Sequence, residues 1–547
     1  MKHVIVIISF FLLQAQLTSG QVTPIAEQSY SKVDALFNST YQAHKPGAAF
    51  AIIEHGQVTY QNSKGLANLE YQLPITDTTV FHIASISKQF TTYLAFLLQE
   101  EGKLSFQDDI RDYLPELNHL PHAISIKDLT NHTHGLPNIN ELAHLKGVLP
   151  QAQMTHQEIV QILLNIKQTN FKPREAYQYN NTGYILLAEI IERVGKKSFK
   201  EQLKQKIFLP LGMSHSQAVD DKNIVIQNKA YSYQLNNGAY ENFPLNLSTI
   251  GASGLNTNIN DLILWAKNYQ NPVVGSRTFY NKMEQATYLN SGKKINYGLG
   301  LQFGTYKGLD IVFHGGGDVG YRAYILHVPK YALSILILAN TNDFSPLDVV
   351  YGAIDILLEE EIKEDVSKAI KPSKDEIKQF AGKYEFQPGN YFTIIPENDT
   401  LYFQSFGTTA MTPLPGLNKN TFEFPYIPYS KFIFYEDKFD FRIADFTYEC
   451  FKISINPPNQ SEIQLEAFTG FFRNEEYNII YELAVVDNQL QVKRLFDAIT
   501  VNPLTVKSFY APGLGELDFV YDPNGQVKGF KLSGQNFKNL IFEKKGY

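Results

Sequence analysis

The sequence predicts an α+β domain, an antiparallel sheet with a helical insertion, followed by two small all-β units. Strand-like segments lie at both ends of the first 370 residues, and segments with helical spacing fill the middle, from Ser85 to Asn268. That segregation is typical of an α+β domain. The remainder, 371–547, carries 34 Phe and Tyr in 177 positions, against 38 aromatic residues in the first 370. Its short alternating runs, separated by turn residues, predict strands.

Residues 1–20 have the order of a secretory signal. A short basic start, Lys2 and His3, precedes an apolar run from Val4 to Leu13, and small or polar residues lead to Gly20. An apolar run of this length is too short to cross ~30 Å of hydrocarbon. We therefore expect cleavage near Gly20, export to a periplasmic or extracellular space, and a mature chain without an integral membrane segment.

The first domain is predicted to span 21–370. It opens with a helical segment and then a hairpin, and it closes with four strand-like segments. The hairpin strands are expected at 48–54 and 57–61, and the closing strands at 297–305, 309–314, 322–327 and 333–339. Because strands from both ends of the domain must share one sheet, the helical middle is an insertion into it.

The tail repeats itself, which predicts one unit at 371–459 and a second at 460–547. FAGKYE at 380–385 matches FTGFFR at 468–473, and NDTLYF at 398–403 matches DNQLQV at 487–492. FIFYED at 432–437 is aligned with FVYDPN at 519–524. Offsets of 87 to 89 residues indicate two related β-units. No catalytic constellation is evident in either.

Composition excludes several classes of function. The chain has 48 Lys and Arg against 55 Asp and Glu, a net charge of −7, and no basic patch, so nucleic acid is not an expected partner. Its single cysteine, Cys450, excludes an internal disulfide and a cysteine-rich metal site.

Ser85-Ile86-Ser87-Lys88 is the first candidate for chemistry. Apolar residues recur at helical spacing after it, so Ser85 lies at or near a helix start. Residues three apart on a helix are neighbours, which places the Lys88 amine beside the Ser85 hydroxyl. Burial would lower the pKa of the amine and let it accept the serine proton. S-x-x-K also begins at Ser29 and Ser291, so the four-letter pattern alone has little specificity.

The segment around Tyr179 and Asn181 is the second candidate. In an extended chain, residues two apart face the same side, so both side chains can project into one cleft. A phenol beside a cationic amine could lose its proton and act as a general base, and an amide could hold a substrate carbonyl. The alternative is a polar turn ahead of an apolar helix.

His314-Gly315-Gly316-Gly317 follows a predicted strand. Glycines allow close approach of the backbone to a ligand, and exposed N–H groups suit an oxyanion hole. A plain glycine turn is the alternative. The H-G-G-G segment of α/β-hydrolases is excluded, since those enzymes need a G-x-S-x-G elbow after it, and the chain has none.

His132 and His134 form a short pair that could suggest a metal. The nearby Asp and His that a metallo-hydrolase site needs are missing, and a turn follows at 135–137. We therefore expect neither a metal nor a cofactor.

Together these motifs resemble the serine β-lactamase and penicillin-binding-protein superfamily, in particular its class C β-lactamase-related branch. The resemblance covers about residues 30–360. It is carried by SISK at 85–88, LTNHTHGLP at 129–137, YNN at 179–181, IFLPLGM at 207–213, ASGLNTNINDL at 252–262 and HGGGDVGY at 314–321. The fold implied is the β-lactamase/transpeptidase-like one, and the tail resembles the lipocalin-like barrels that follow such domains.

The resemblance implies a role for each site residue. Ser85 would be the nucleophile, Lys88 its proton partner, and Tyr179 the base that later protonates the leaving group. Asn181 would orient a substrate amide or carbonyl, and the N–H groups of Ser85 and Gly317 would form the oxyanion hole. His314, with Gly316 in the substrate-binding strand, replaces the lysine of K-T-G.

The predicted function is an exported serine hydrolase that cleaves an ester or amide of a small or peptide-like substrate through a Ser85 acyl-enzyme. Because histidine is mostly neutral at pH 7, the change at His314 favours esterase, amidase and D-amino-acid peptidase activity. One alternative is a true β-lactamase or D,D-peptidase. Another is a binding protein that has lost catalysis. Oligomeric state stays open.

Overall fold

The computed structural model describes residues 27–147, 154–221, 223–245, 249–362, 372–387, 390–405, 411–424, 430–443, 446–454, 458, 462–495, 497–534 and 537–546. The predicted signal at 1–20 and the predicted boundaries, between 370 and 371 and between 459 and 460, lie outside these residues. The fold class is confirmed: helices and an antiparallel sheet form the first part, and two all-β sheets follow.

All the described α-helices but the last lie in the first part of the chain, mostly between its two groups of strands. They are α1 Glu27–Thr40, α2 Ser87–Glu100, α3 Ile126–Thr130, α4 Ile139–Leu145, α5 His156–Leu164, α6 Thr182–Gly195, α7 Phe199–Leu203, α8 Leu209–Leu211, α9 Ile259–Gln270, α10 Arg277–Met283, α11 Pro346–Leu357 and α12 Lys374–Lys378.

The first part also carries the strands of its main sheet and of several short hairpins. These are β1 Ala48–Glu54, β2 Gln57–Lys64, β3 Leu66–Asn68, β4 Leu73–Pro74, β5 Phe81–His82, β6 Gln217–Ala218, β7 Tyr233–Asn236, β8 Ala239–Asn242, β9 Leu255–Thr257, β10 Thr287–Tyr288, β11 Lys294–Ile295, β12 Gln302–Tyr306, β13 Leu309–Asp318, β14 Tyr321–Val328 and β15 Leu333–Ala339.

The main sheet has the order β12-β13-β14-β15-β1-β2 and is antiparallel throughout. Both of its faces are covered. Phe313 faces the terminal helices α1 and α11, whereas the preceding Val312 faces the helical insertion. Because side chains alternate along a strand, His314, Gly316 and Asp318 share the face of Val312 and look towards the insertion.

The strands of the tail form two further sheets that curl into nearly closed barrels. The first barrel holds β16 Gly382–Gln387, β17 Asn390–Glu397, β18 Thr400–Ser405, β19 Thr412–Leu414, β20 Thr421–Glu423, β21 Ser430–Phe434, β22 Lys438–Ile443 and β23 Phe446–Ile453. The second barrel holds β24 Gly470–Asn474, β25 Ile479–Val486, β26 Gln489–Lys493, β27 Ala498–Thr500, β28 Asn502–Pro503, β29 Ser508–Ala511, β30 Gly515–Tyr521, β31 Val527–Gly534 and β32 Phe537–Lys545.

The two barrels share one strand order, except that β28 extends the second. Their ladders place Gly382 opposite Ile394 and Gly470 opposite Leu483, which supports the first repeat alignment. The third alignment is wrong by two residues, since the ladders make Phe434, not Phe432, the counterpart of Phe519. A shift of two keeps every side chain on the same face of a strand, so the apolar pattern could not detect it.

Both barrels contact the first domain. In the second barrel, the hydroxyl of Tyr481 donates to the carbonyl of Leu145 at 2.6 Å, and Arg494 donates to the carbonyl of His144 at 2.6 Å. In the first barrel, Glu449 pairs with Lys293 at 3.4 Å. The cores of the second barrel and the helical insertion form one continuous apolar cluster.

Among the described helices, none combines the length and the hydropathy that crossing a membrane requires.

Candidate active site

Ser85 lies in a short 3₁₀ helix, 84–86, that leads directly into α2. The residue before it, Ala84, has a φ of +47°, a left-handed conformation that costs an alanine backbone energy. The helix that follows is buried almost all round, from Ser87 to Phe96. Ser85 therefore stands at the start of a deeply packed helix, as the sequence predicted.

Lys88 is fully buried, one turn after Ser85. Its Nζ lies 3.0 Å from the Ser85 Oγ, 2.8 Å from the Asn181 Oδ1 and 2.9 Å from the carbonyl oxygen of Ala252. A neutral amine has two N–H donors and one lone pair. As an ammonium group Lys88 donates to all three oxygens; in the neutral form Asn181 and Ala252 can accept its two N–H donors, which leaves the lone pair for the Ser85 hydroxyl.

The electrostatic environment of Lys88 favours its neutral form. Burial lowers the pKa of the Lys88 amine to about 7, even though the carboxylate of Asp318 acts in the opposite direction. A large fraction of the amine is therefore unprotonated near neutral pH.

Tyr179 stands beside both groups. The Ser85 side chain lies close enough to act on the pKa of its phenol, and its ring centroid is 4.9 Å from the Lys88 Nζ. Burial raises the pKa of Tyr179 well above its ordinary value. Burial therefore opposes the expected ionisation of this phenol beside the amine.

Asn181 and its neighbour are held by the segment 129–138. The amide of Asn180 donates to the carbonyl of Leu136 at 2.6 Å, and its backbone N–H donates to the His132 Nδ1 at 3.2 Å. These bonds fix the extended turn just before α6 and direct the Asn181 oxygen at Lys88.

His314 is buried on β13 and is held by two hydrogen bonds. Its Nδ1 donates to the carbonyl of Gly315 at 2.7 Å, which leaves the Nε2 to accept from the Tyr297 hydroxyl at 3.2 Å. Burial and the nearby Lys88 lower the pKa of His314 to about 3. The ring is therefore neutral at physiological pH, in contrast to the lysine of K-T-G.

Gly316 is where β13 passes closest to the nucleophile. A Cβ at this position would lie 2.2 Å from the carbonyl oxygen of Ile83 and 3.3 Å from the backbone nitrogen of Ser85. At Gly317, the nearest neighbour of a Cβ would be the Arg322 guanidinium, 3.6 Å away. Pairing with β12 stops at Phe313, so among the described strands only β14 pairs with 314–318.

Asp318 ends β13 on the face that looks towards Ser85. Its Oδ2 lies 3.3 Å from the Nε2 of the buried His82, and its side chain is about one-third exposed. Arg322, a nearby cation, points from the opposite face of the sheet, because it pairs directly with Gly317 rather than with Gly316. The charge on the cleft side of β13 is therefore negative.

His132 and His134 have structural surroundings. His132 packs against the rings of Tyr177, Tyr179, Tyr184 and Tyr297, and the Nδ1 of His134 accepts from the backbone of Leu136 at 2.9 Å. Within the described ranges, no group of three or more His, Cys, Asp or Glu is arranged to hold a metal ion.

The structure adds site groups that the sequence analysis did not identify. The carbonyl oxygen of Ala252 accepts a hydrogen bond from Lys88. The motif at 252–262 had been recognised in the sequence, but it had given Ala252 no role. The ring centroid of Tyr184 lies 5.5 Å from the Lys88 Nζ, and the hydroxyl of Tyr297 is hydrogen-bonded to the Nε2 of His314. The sequence shows the spacing of the tyrosines at 177–184. Their contacts with Tyr297 and His314, however, depend on long-range packing.

The other two S-x-x-K serines lie elsewhere. Ser29 is on α1, and Ser291 is exposed in the turn between β10 and β11. Of the three, Ser85 is the one in the cluster of Lys88, Tyr179 and Asn181.

The sequence model of the Beta-lactamase family matches residues 27–357, 331 of the 547 positions. The chain belongs to the β-lactamase family. The match contains every site residue described above, and as a member of the β-lactamase and penicillin-binding-protein group the chain is a serine hydrolase.

Relatives within the β-lactamase family include a penicillin-binding protein of Bacillus subtilis (strain 168), 27% identical over 412 residues, covering 70% of this chain and 89% of that protein. A D-aminopeptidase of Gluconobacter oxydans (strain 621H) is 27% identical over 297 residues, covering 54% of this chain and 56% of that protein. The chain thus spans little more than half the length of this D-aminopeptidase.

Solved structures show the same β-lactamase-like fold. The octameric penicillin-binding protein homologue from Pyrococcus abyssi has a TM-score of 0.55 at 24% identity, covering 86% of this chain and 99% of that one. The D-amino acid amidase from Ochrobactrum anthropi SV3, complexed with L-phenylalanine amide, has a TM-score of 0.51 at 22% identity, covering 61% and 98%.

Proposed function

We propose that this β-lactamase-family protein cleaves an ester or amide bond through an acyl-enzyme on Ser85. The observation that carries the proposal is the 3.0 Å contact between the Ser85 Oγ and the Nζ of a fully buried Lys88. A serine hydroxyl is a weak nucleophile until a base takes its proton, and a lysine made nearly neutral by burial is such a base.

Acylation then proceeds in two steps. The Ser85 proton moves to the Lys88 Nζ as the Oγ attacks the substrate carbonyl and forms the tetrahedral intermediate. The N–H groups of Ser85 and Gly317 stabilise the oxyanion. When the bond to the leaving nitrogen or oxygen breaks, the Tyr179 hydroxyl protonates the leaving group, and Lys88 returns the proton to Tyr179.

Deacylation repeats these transfers with water in place of serine. A water molecule gives a proton to Lys88, its oxygen bonds to the acyl carbon, and the Ser85 Oγ leaves with a proton returned through the Tyr179–Lys88 pair. The amide oxygen of Asn181 is used by Lys88, so its NH₂ group donates to the substrate carbonyl. No step needs a metal or cofactor.

The polarity of the cleft supports a substrate with a free amine rather than a C-terminal carboxylate. His314 is neutral, and Asp318 puts a negative charge on the same face of β13. An anionic substrate would meet repulsion there, whereas an ammonium group would be attracted. The proposed substrates are therefore D-amino-acid amides, short peptides with a free amine, and related esters, in agreement with the relatives named D-aminopeptidase.

The test is the intact mass of the protein after reaction with a fluorophosphonate and, separately, with a β-lactam. We expect a fluorophosphonate adduct that disappears in Ser85→Ala and persists in Ser291→Ala, the matched S-x-x-K control. Persistence of the adduct in Ser85→Ala would overturn the proposal, and no adduct on the folded wild type would favour the binding-protein alternative. Rapid turnover of the β-lactam would support the β-lactamase alternative.

Asp318→Asn tests the preference for an amine. We expect the KM for D-alaninamide to rise about tenfold and the KM for its N-acetylated analogue to stay unchanged, because only the free amine is attracted by the carboxylate. Equal effects on both substrates would contradict the amine preference.

We also propose that the chain is exported after cleavage of its first 20 residues. The order of basic, apolar and small residues at 1–20 supports this. The N-terminal sequence of the protein recovered from the producing cell should begin at or near Gln21. A protein recovered from the cytoplasm with Met1 or Lys2 at its N-terminus would contradict it.

A further inference from the structure

Six aromatic side chains form a closed ring on the core-facing side of the strands of the first barrel, called here the aromatic belt. Each ring contacts the next around the circle, and the last contacts the first, with centroids 4.6 to 6.3 Å apart. In order around the ring, the members of the belt are Phe386, Phe392, Phe403, Phe424, Phe441 and Tyr448.

The belt lies against the fully buried core of the first barrel but is itself only partly buried. Core residues such as Tyr384, Phe439 and Cys450 have no exposed surface. Leaving six large aromatic side chains partly exposed gives up apolar burial that folding would otherwise use. This exposure calls for a reason other than stability of the barrel.

The second barrel shows that the fold does not require the belt. The ladders identify the residues at the six corresponding positions of that barrel as Asn474, Tyr481, Val492, Ala511, Leu532 and Leu540. All six are buried, with exposure between 0% and 3%. The same architecture is thus completed by smaller side chains and one tyrosine, and the first barrel alone keeps an all-aromatic ring.

The belt adjoins the active-site cleft. Tyr448 is close enough to Tyr177 for their hydroxyls to interact electrostatically, and the next residue, Glu449, pairs with Lys293 at 3.4 Å. The turn that carries Lys293 is tied to the cleft wall, since the backbone of Asn290 donates to the carbonyl of Arg174 at 2.8 Å. These contacts fix this side of the first barrel against the segment that leads into Tyr179.

A short aromatic path continues from Tyr177 to the nucleophile. The Tyr177 ring lies 6.0 Å from Tyr297, which in turn lies 6.0 Å from Tyr179. Tyr179 in turn lies beside Ser85 and the Nζ of Lys88. The side chains that connect Tyr448 of the belt with the catalytic serine through these contacts are therefore all uncharged tyrosines.

We propose that the aromatic belt of the first barrel is a substrate subsite, which binds an uncharged aromatic or aliphatic group of the molecule cleaved at Ser85. The inference rests on the proposed function and adds a substrate class to it: amides or esters with a bulky apolar substituent. Such a group would be covered on several sides by ring faces and edges, which favours apolar and aromatic ligands over charged ones.

The test compares two reagents that differ only in their apolar part. Ethyl methyl fluorophosphonate and ethyl 4-phenylbutyl fluorophosphonate both react at the serine, so their second-order rate constants measure recognition without requiring the natural substrate. The variants are Tyr448→Leu and Phe441→Leu, which install the residues that the second barrel carries as Leu540 and Leu532. We expect the phenylbutyl-to-methyl rate ratio to fall about tenfold, the range typical for loss of apolar pocket contacts.

Phe451→Leu is the matched control. Phe451 lies on the same strand, β23, but is about half exposed and has the opposite parity to Tyr448, so it faces away from the belt. Its rate ratio should equal that of the wild type. Circular dichroism and the thermal midpoint of all three variants establish that the barrel is folded.

The outcomes separate the inference from the function. If both reagents label Ser85 and the rate ratio is the same in the belt variants and the wild type, the subsite is overturned while the proposed function stands. An equal fall in Phe451→Leu would also overturn it. Absence of labelling by either reagent in the wild type would remove the proposed function, and the subsite with it.

Discussion

The amide oxygen of Asn181 accepts a hydrogen bond of 2.8 Å from the amine of Lys88, a residue 93 positions earlier in the chain. The contact joins the two motifs of the β-lactamase-like site, S-x-x-K on α2 and Y-x-N before α6. In the proposed mechanism, it also leaves the lone pair of the neutral amine free for the serine proton, because Asn181 and Ala252 accept from the two N–H donors.

The first prediction concerns pH. Because burial lowers the pKa of Lys88 to about 7 and the neutral amine is the base, kcat/KM should rise as pH increases through 7 and reach a plateau above 8. At pH 5.5 the value should be roughly 30-fold below the plateau, since each unit below the pKa lowers the neutral fraction about tenfold. Hydrolysis of p-nitrophenyl acetate between pH 5.5 and 9 measures it.

Lys88→Arg is the control for this assignment. A guanidinium stays protonated at every pH of the experiment. The variant should therefore lose turnover over the whole range, and its kcat/KM should not rise at any pH. If the kcat/KM of the wild type rose only near pH 10, the ordinary pKa range of lysine, the assignment would be contradicted.

Tyr179→Phe should separate substrates by their leaving groups. An amide nitrogen must be protonated as it departs, so removal of the hydroxyl should lower kcat for an amide by about 10²- to 10⁴-fold. A p-nitrophenolate leaves without a proton, so p-nitrophenyl acetate should lose far less. Equal losses on both substrates would assign Tyr179 to positioning Ser85 rather than to proton donation.

Gly316→Ala and Gly317→Ala form a matched pair. The first places a Cβ 2.2 Å from the Ile83 carbonyl and must push β13 away from Ser85, whereas the second meets nothing nearer than 3.6 Å. We expect the fluorophosphonate labelling rate of Gly316→Ala to fall at least about 100-fold, as expected for a disturbed oxyanion hole, and that of Gly317→Ala to stay within about threefold. Similar rates for the two variants would show that the close approach at 316 does not matter to the site.

Tyr481→Phe tests the attachment of the second barrel. Removing the hydroxyl leaves the buried carbonyl of Leu145 without this donor, which should lower the free energy of unfolding by about 1–2 kcal/mol. The first transition in guanidinium chloride, followed by tyrosine fluorescence, measures the change. Tyr71→Phe, at a side chain that is 74% exposed, should leave the midpoint unchanged, and an equal shift there would indicate a general effect of tyrosine removal.

Local sequence patterns predicted much of the site because they act over short distances. The spacing of three between Ser85 and Lys88 brings the two groups together on any helix, and the spacing of two between Tyr179 and Asn181 places them on one side of any extended segment. The glycines after His314 likewise indicated a close backbone approach, which the structure shows at Gly316.

The same patterns failed where faces and registers had to be chosen over long distances. Phe432 and Phe434 both satisfy a period of two, so only the ladders could show which of them corresponds to Phe519. The aromatic belt was invisible as a ring for the same reason, since its six members come from separate strands and segments.

The sequence by itself predicted the fold class and the neighbouring positions of Ser85 and Lys88, because these follow from periodicity and residue spacing, and the family resemblance pointed to His314 in place of the K-T-G lysine. Tertiary structure alone decided that burial opposes ionisation of Tyr179, that burial lowers the pKa of Lys88 and that the first barrel lies against the cleft. The physical reason is that burial causes the pKa shifts. Burial in turn arises only when residues as far apart in the chain as Lys88, His132, Ala252 and Tyr297 pack around one point.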